Sequence, residues 1–470
     1  MSTHAQLERQ LRACGQDHLA DSLGSNPALA DQLAGIDLAS LAALIEKHVR
    51  RPDQPTLATD LAPVECFSTV TTPGRQVFDP AAVARIGDRL IRAGKLAAFT
   101  VAGGQGTRLG FDGPKGFFPA GAVTGKPLFA FFADALLGAG DRFGLVAPWY
   151  VMTSTRNHQQ TVAFFKEHNY FGLDPADLFL FPQGEMPSLD IRSGRILLAE
   201  PGRIATNPDG HGGSLRALHR SGALADMIAR GIEHISYFQV DNPIVRVIDP
   251  VFLGLHVGEH SSAEMSSKMV PKAFPDERLG VFCQTQGRTQ VIEYTDLPDS
   301  LAHESLPDGS LRFSAGSIAV HLIGVEFVQR LNTDPDFQLP WHRAEKIVPC
   351  VDPDTGSRLN PFAPNAVKLE QFVFDALPLA RRSIVLETSR QDEFAPIKNA
   401  TGIDSAESSQ RIQTARAADW LEAAGVAIPR TADGTPDCVI ELSPRTASKP
   451  EHLAAIDLPD AIAPGQHIAL

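Results

Sequence analysis

Cysteine is scarce and scattered in this chain of 470 residues: Cys14, Cys66, Cys283, Cys350 and Cys438 are odd in number and include no Cys-x-x-Cys pair. That excludes a disulfide framework and a thiolate zinc site as organising devices. Long hydrophobic runs are missing as well; none approaches the ~18 to 20 apolar residues of a membrane-spanning helix. The opening residues, MSTHAQLERQLRACGQDH, lack the basic-then-apolar layout of a signal peptide. A soluble protein of the cytoplasm is the expectation, with no membrane partner. Positive charge is in deficit, 42 Lys and Arg against 55 Asp and Glu for a net charge of -13. This argues against a nucleic-acid partner, whose phosphates are held by clustered cations releasing counterions. A small polyphosphate stays open, because a few cations and backbone amides in one cleft suffice for it.

What is present is ordinary globular material, 43% hydrophobic and 21% charged with no low-complexity tract. Leu7 and Leu11, then Leu38, Leu41, Leu44 and Ile45, recur at helical spacing before a Pro-rich stretch from Arg51 to Pro63. Residues 1–62 therefore read as a helical N-terminal extension and linker. From Leu96 onward short apolar runs alternate with amphipathic stretches, the pattern of repeated β-α units. Strands are expected at Leu96 to Ala102, Trp149 to Thr153, Leu178 to Phe181 and His234 to Val240. Helices are expected at Leu128 to Leu137, Gln159 to His168 and Ser214 to Arg230, and Asp249-Pro250 reads as the cap and first residue of another. Gly280 to Thr285 and Thr289 to Tyr294 form a hairpin candidate across Gly287. The fold class is α/β: a doubly wound, mixed but mainly parallel, Rossmann-like sheet over residues 63–404. A small C-terminal α+β module over 405–470 follows, with a helix near Arg411 to Ala424 and a strand at Cys438 to Leu442.

The first strong strand runs straight into Ala102-Gly-Gly-Gln-Gly-Thr-Arg-Leu-Gly110, with Pro114-Lys115 following. Glycine lets backbone N–H groups approach an anion closely, so successive amides can cradle phosphate oxygens, and Arg108 and Lys115 add formal charge. Two other phosphate motifs fail on spacing. A dinucleotide fingerprint starting at Gly104 and Gly106 requires glycine where Leu109 stands, and a Walker A loop is one residue short at Gly121 to Lys126 and ends in Pro127.

The string AGGQGTRLG with PKG after it resembles the signature of the eukaryotic-type UDP-sugar pyrophosphorylases, whose fold is that of the nucleotide-diphospho-sugar transferases. The UDP-N-acetylhexosamine branch is the nearest in resemblance. The likeness continues in order through VMTS at Val151, TVAFFKEHNYF at Thr161, FPQGEMP at Phe181, NPDGHGGS at Asn207, QVDNPIVRVIDP at Gln239, GVFCQ at Gly280, VIEY at Val291, KLEQFVFDA at Lys368 and FAPIKNA at Phe394. What this resemblance implies is a uridylyltransferase that joins UTP to a sugar 1-phosphate, N-acetylglucosamine 1-phosphate or glucose 1-phosphate, with Mg2+ as cofactor. The alternative is a nucleotide-sugar-binding regulatory protein that keeps the fold without turnover. The cation set separates the two, and it is complete here.

By the same resemblance Gly103, Gly104 and Gly106 lie against the nucleotide, Arg108 and Lys115 contact the β- and γ-phosphates, and Asp241 holds Mg2+. Lys368 and Lys398 reach the transferring phosphates, and Gln183 with the backbone of Gly210 reads uracil. Gly280 and Glu293 match sugar-contacting positions. Two positions depart from the N-acetylhexosamine pattern: His211 stands for the asparagine of DGNGG and Ser317 for that of AGN. A histidine in a GHG setting is similar to the UDP-glucose and broad-specificity branches.

Overall fold

The structure is a computed structural model that describes residues 4–52, 58, 60–69, 75–334, 337–352 and 355–470. Part of the expected linker, residues 53–57 and 59, lies outside the described residues. Two compact units divide the chain: Met1–Leu57 with Gln183–Ser214 and Gln338–Val373, and Ala58–Pro182 with Leu215–Phe337 and Phe374–Leu470.

The larger unit is built on a mainly parallel sheet with strand order Arg75–Val77, Cys66–Ser68, Val385–Glu387, Met265–Pro271, Ala315–Gly324, His234–Gln239, Leu96–Val101, Trp149–Thr153, Leu178–Pro182. Only Ala315–Gly324 runs against both of its neighbours in this path. Leu96–Val101, Trp149–Thr153 and His234–Gln239 are nearly continuous in buried residues, as strands covered on both faces must be, whereas Leu178–Pro182 at the end of the order is mostly half-buried. After Leu96–Val101 the chain builds outward through two strands and then returns to its other side as His234–Gln239, in parallel register from His234↔Leu96 to Gln239↔Val101. That return is a topological switch point, and such folds bind ligands beyond the carboxyl ends of the strands there.

Leu128–Phe143 and His158–Glu167 cover the sheet as helices, Phe129 and Phe165 packing edgewise on Trp149. The expected single helix Ser214 to Arg230 is two, Ser214–Arg220 and Ala223–Ala229, because Gly222 takes a left-handed φ of 84° between them. Asp249 caps Pro250–His256 by accepting the N–H groups of Val251 and Phe252. Val281–Thr285 and Arg288–Ile292 pair as the antiparallel hairpin, turning through Gln286 and Gly287 at positive φ. In the C-terminal part the helix Ala406–Ala423 opens on a Ser405/Ser408 capping box, and Val439–Glu441 pairs with His467–Ala469 over Trp420, Leu421 and Leu453.

The smaller unit has its own core, in which Leu11, Leu19, Leu29 and Leu33 of the N-terminal helices pack with Leu189, Ile196, Ile204 and Leu369. Gln16 fixes that packing with a buried amide that donates to the Gly194 carbonyl and accepts the Ile196 N–H. No single helix among the described residues is long and apolar enough to cross a membrane. One bent pair, Pro27–Ala34 with Leu38–Arg50, passes on length and composition alone, and its leucines belong to this core.

His234 and His256 lie buried edge to face, with ring centroids 5.2 Å apart. Burial pushes His234 down to about 4 and His256 well below the usual imidazole range. The unfolded chain therefore binds protons that the folded chain refuses as pH falls below about 6.5, and stability drains between that value and about 4. A wholly refused proton amounts to roughly 3 kcal/mol for His234. Melting temperature followed from pH 7 downward should fall steeply in this window, and His234→Gln should flatten the slope; an unchanged slope rules out this pair as its source.

Candidate active site

The glycine loop and Asp241 meet because their strands end together: the Val240 N–H donates to the Val101 carbonyl at 3.2 Å. The loop folds on itself, Lys115 N–H to Gly104 carbonyl at 3.0 Å and Gly106 N–H to Gly113 carbonyl at 2.8 Å. The N–H groups of Gly104 and Gln105 take no acceptor among the described residues. A methyl group added at Gly104 would touch nothing within 4 Å, so packing within the protein gives no reason for glycine there. Close approach of a ligand does. At Gly116 the reason is internal, since a Cβ would come within 2.2 Å of the Phe129 ring. This contact seats the turn Lys115–Phe117 on helix Leu128–Phe143. Arg108 is exposed on the short turn Thr107–Leu109. Asn157, itself buried, ties the neighbouring strand end in by donating to the Ala102 carbonyl at 3.2 Å.

The Lys115 ammonium stands 3.4 Å from Asp241 Oδ2, both side chains largely buried. Burial alone would raise the Asp241 carboxyl, but Lys115 and then Lys398 outweigh it and hold it below the usual range. Lys398 is brought there by the segment after Glu393. Ile397 N–H donates to the Asp241 carbonyl at 2.8 Å, and the Asn242 side chain spans the Glu393 carbonyl at 2.7 Å and the Ala395 N–H at 3.1 Å. Glu393 is in turn held by Lys268, which also bonds Asp249 at 2.7 Å in a fully buried triad. Burial would raise Asp249, yet Lys268 and Arg246 keep it far below the carboxylate range.

Gly280, Glu293 and Ser317 also converge. The Ser317 N–H donates to the Gly280 carbonyl at 2.8 Å, and a Cβ on Gly280 would stand 2.8 Å from Val291 Cγ1 and 3.1 Å from Glu293 Oε1.

Gln183, Gly210, His211 and Lys368 belong to the smaller unit. Buried Gln183 precedes Gly184, whose carbonyl accepts the Asp209 N–H at 3.2 Å and so places it beside Gly210. Gly210 has φ 86° and no room for a side chain against the Gln371 backbone. His211 stacks on Phe372 with centroids 5.2 Å apart, and its Nδ1 accepts the Val373 N–H at 3.1 Å. Burial, followed by His342, pushes it down to about 4, so it is a neutral ring carrying its proton on Nε2. Lys368 sits mid-strand in Ala366–Glu370, opposite Ala344.

The sequence reading missed Asn242, Glu393, Lys268 and Asn157, the polar groups beneath the site. Lys268 lies in the buried strand Met265–Pro271, but a lysine next to Ser266 and Ser267 reads in sequence as an exposed position. Lys126, from the rejected Walker-like string, pairs with Asp134.

A glycine loop, a lysine–carboxylate pair and a second lysine at the switch point of such a sheet define a nucleotidyltransferase. The chain belongs to the UTP--glucose-1-phosphate uridylyltransferase family, whose model matches residues 79–414. It is 35% identical to the human UDP-N-acetylhexosamine pyrophosphorylase-like protein 1, over 96% of this chain and 94% of that one. It is also 35% identical to the UDP-N-acetylglucosamine pyrophosphorylase of Saccharomyces cerevisiae, over 79% of this chain and 77% of the relative. The crystal structure of the Trypanosoma brucei uridine diphosphate N-acetylglucosamine pyrophosphorylase with an inhibitor superposes with a TM-score of 0.79 at 26% identity, covering 96% of this chain and 94% of that one.

Proposed function

We propose that this chain transfers the uridylyl group of UTP to N-acetylglucosamine 1-phosphate, in the cytoplasm, releasing pyrophosphate. The observation that carries the reading is Lys115 against Asp241 at the mouth of the glycine loop, 3.4 Å apart. The choice of sugar is supported by the relatives, which are named for UDP-N-acetylglucosamine or UDP-N-acetylhexosamine.

The chemistry follows from charge. UTP carries about four negative charges and the sugar phosphate nearly two, so neutralisation and in-line placement dominate the barrier. A phosphate monoester oxygen with a second pKa of about 6 is already ionised at neutral pH and needs no protein base. That oxygen forms a bond to the α-phosphorus while the bond to the bridging oxygen breaks, and pyrophosphate leaves with the electron pair. Arg108 and Lys115 stabilise the charge developing on pyrophosphate, and Lys398 does so at the transferring group; Lys368 is assigned the same task on motif resemblance, as are Gln183 and Gly210 to uracil. Asp241, a single ionised carboxylate at a strand end, suits Mg2+, which keeps waters and shares phosphate oxygens with few protein ligands. Bound there, the ion would supply further charge stabilisation to the triphosphate. Gly280, Glu293 and Ser317 form the sugar-facing cluster, and His211 is assigned to the sugar by resemblance.

Pyrophosphate release from UTP with a panel of sugar 1-phosphates, with and without Mg2+, tests this. Mg2+-dependent turnover with kcat/KM higher for N-acetylglucosamine 1-phosphate than for glucose 1-phosphate is expected; the reverse order overturns the sugar, and binding without turnover leaves the regulatory alternative. Ser317→Asn restores the family amide at the cluster and should raise that ratio about two- to twelvefold, the size of one neutral hydrogen bond. An unchanged ratio would remove Ser317 from sugar selection.

A further inference from the structure

Beyond Asn242 the chain continues as residues 244–248, and this stretch shares a cavity with the end of helix Leu128–Phe143, with helix Ala406–Ala423 and with residues 444–452. The cavity holds about 40 Å3. Its charged lining has one sign: Arg142, Arg246, Arg416, Lys449 and His452 face it, and no aspartate or glutamate among the described residues does.

Two of these guanidinium groups keep a buried donor without an acceptor among the described residues. Arg416, 6% exposed, gives Nη1 to the Asp392 carbonyl at 3.2 Å and to the Ile244 carbonyl at 3.5 Å, while its Nε–H is buried with no acceptor among the described residues. The Arg246 Nε is likewise buried without one. Arginine cannot shed its proton, so each of these is a charged donor removed from water and left unsatisfied. The field inside is positive enough to act on the lining itself: burial, followed by Arg246, pushes Arg416 down to about 10, and burial, followed by Arg142 and Lys449, pushes His452 down to about 4. Carboxylates outside the cavity, Glu393, Asp249, Asp392 and Glu451, act on Arg246 and outweigh its burial, and Glu451 also acts on His452; three of the four are engaged elsewhere. Glu393 and Asp249 hold Lys268, and Asp392 accepts the Trp420 indole N–H at 3.2 Å.

We infer that this cavity is a binding site for a small tetrahedral oxyanion of the inorganic phosphate class, separate from the Lys115–Asp241 site. Guanidinium forks match the oxygens of such an ion, which would satisfy the two stranded Nε–H groups and neutralise the lining. A volume that admits a few waters admits one such ion and no nucleotide. Its occupant joins the stretch leading out of Asn242 to the C-terminal residues, so it acts as a clip between the catalytic sheet and the C-terminal part of the same unit. A phosphoryl group borne by a larger molecule offers the same oxygens.

Calorimetric titration of the full chain with inorganic phosphate at constant ionic strength tests the site. Saturable binding is expected in the wild type and equally in Lys115→Ala, and about tenfold or more weaker in Arg142→Gln and Lys449→Gln, each removing one charged contact near the rim. Phosphate should raise the melting temperature of Lys115→Ala and fail to raise that of Lys449→Gln. No saturable binding overturns the inference. So does binding that Lys115→Ala abolishes while Arg142→Gln and Lys449→Gln keep it, which would put the ion at the nucleotide loop. In Lys115→Ala, displacement of phosphate by glucose 1-phosphate identifies a substituted phosphate as the source, and displacement by sulfate alone identifies the free ion.

Discussion

Lys115→Ala should cut turnover by about a hundredfold or more, the effect of deleting one preorganised charge contact from a transition state. A second signature accompanies the loss. Asp241 is held below the ordinary carboxylate range because Lys115 and Lys398 outweigh its burial. Without Lys115, burial regains ground and the Asp241 pKa rises. A lowered carboxyl keeps its charge down to its own pKa; a raised one loses it earlier as pH falls, so the acid limb of the residual pH–rate profile should shift to higher pH. Asp241→Asn should lose most Mg2+-dependent turnover while the melting temperature stays near wild type, and it should carry no such limb. Near-normal rates for Lys115→Ala, or an acid limb that does not move, would sink the assigned roles.

Lys268→Met is expected to cost about 3 to 5 kcal/mol of stability, the range for removing one partner of a buried ion pair. The variant would leave Asp249 and Glu393 buried without the lysine that bonds both, with Arg246 the nearby cation that still acts on them. Urea unfolding should show a lower midpoint with an unchanged slope, and adding Glu393→Gln should recover part of the loss. A cost below about 1 kcal/mol would mean that water or relaxation replaces the lysine. Activity should fall too, since the Glu393 carbonyl anchors the Asn242 side chain next to Asp241.

Those two substitutions also mark the boundary of what the sequence makes legible. Lys115 and Asp241 announce themselves because each follows a pattern that purely structural needs seldom produce, a strand breaking into glycines and a buried strand ending in a carboxylate. The strand positions are readable for a similar reason: continuous apolar runs bounded by turn residues admit little else. Lys268 and Glu393 do not announce themselves, because their partners lie far away in sequence and a single polar residue in a strand fits an exposed face equally well. The break at Gly222 was open to a local reading, but one glycine inside an otherwise helical pattern is often tolerated. His211 shows a different limit. Its place in GHG marks it as a candidate sugar contact, whereas its stack on Phe372 and its bond from the Val373 N–H, both tertiary, show that the ring also holds its own loop. The shared core of the N-terminal leucines with Leu189, Ile196 and Leu369 is invisible to periodicity, which gives the apolar face of a helix and not what covers it.

The place of Cys66–Ser68 in the sheet bears on how the chain is made. Among the described residues this strand reaches the other main-sheet strands through Val385–Glu387, its other partner being Arg75–Val77 at the end of the strand order. Translation proceeds at about 5 to 20 residues per second, so a segment formed early waits many seconds for a partner near the far end of the chain. During that wait the Cys66 thiol, fully buried in the finished fold, and the Phe67 ring beside it stand open on the ribosome. The same strand edge can template pairing with another nascent chain. Chains that stop before Val385 therefore emerge with this edge uncovered, and the late strand Val385–Glu387 serves during biosynthesis as the closing seam of the sheet.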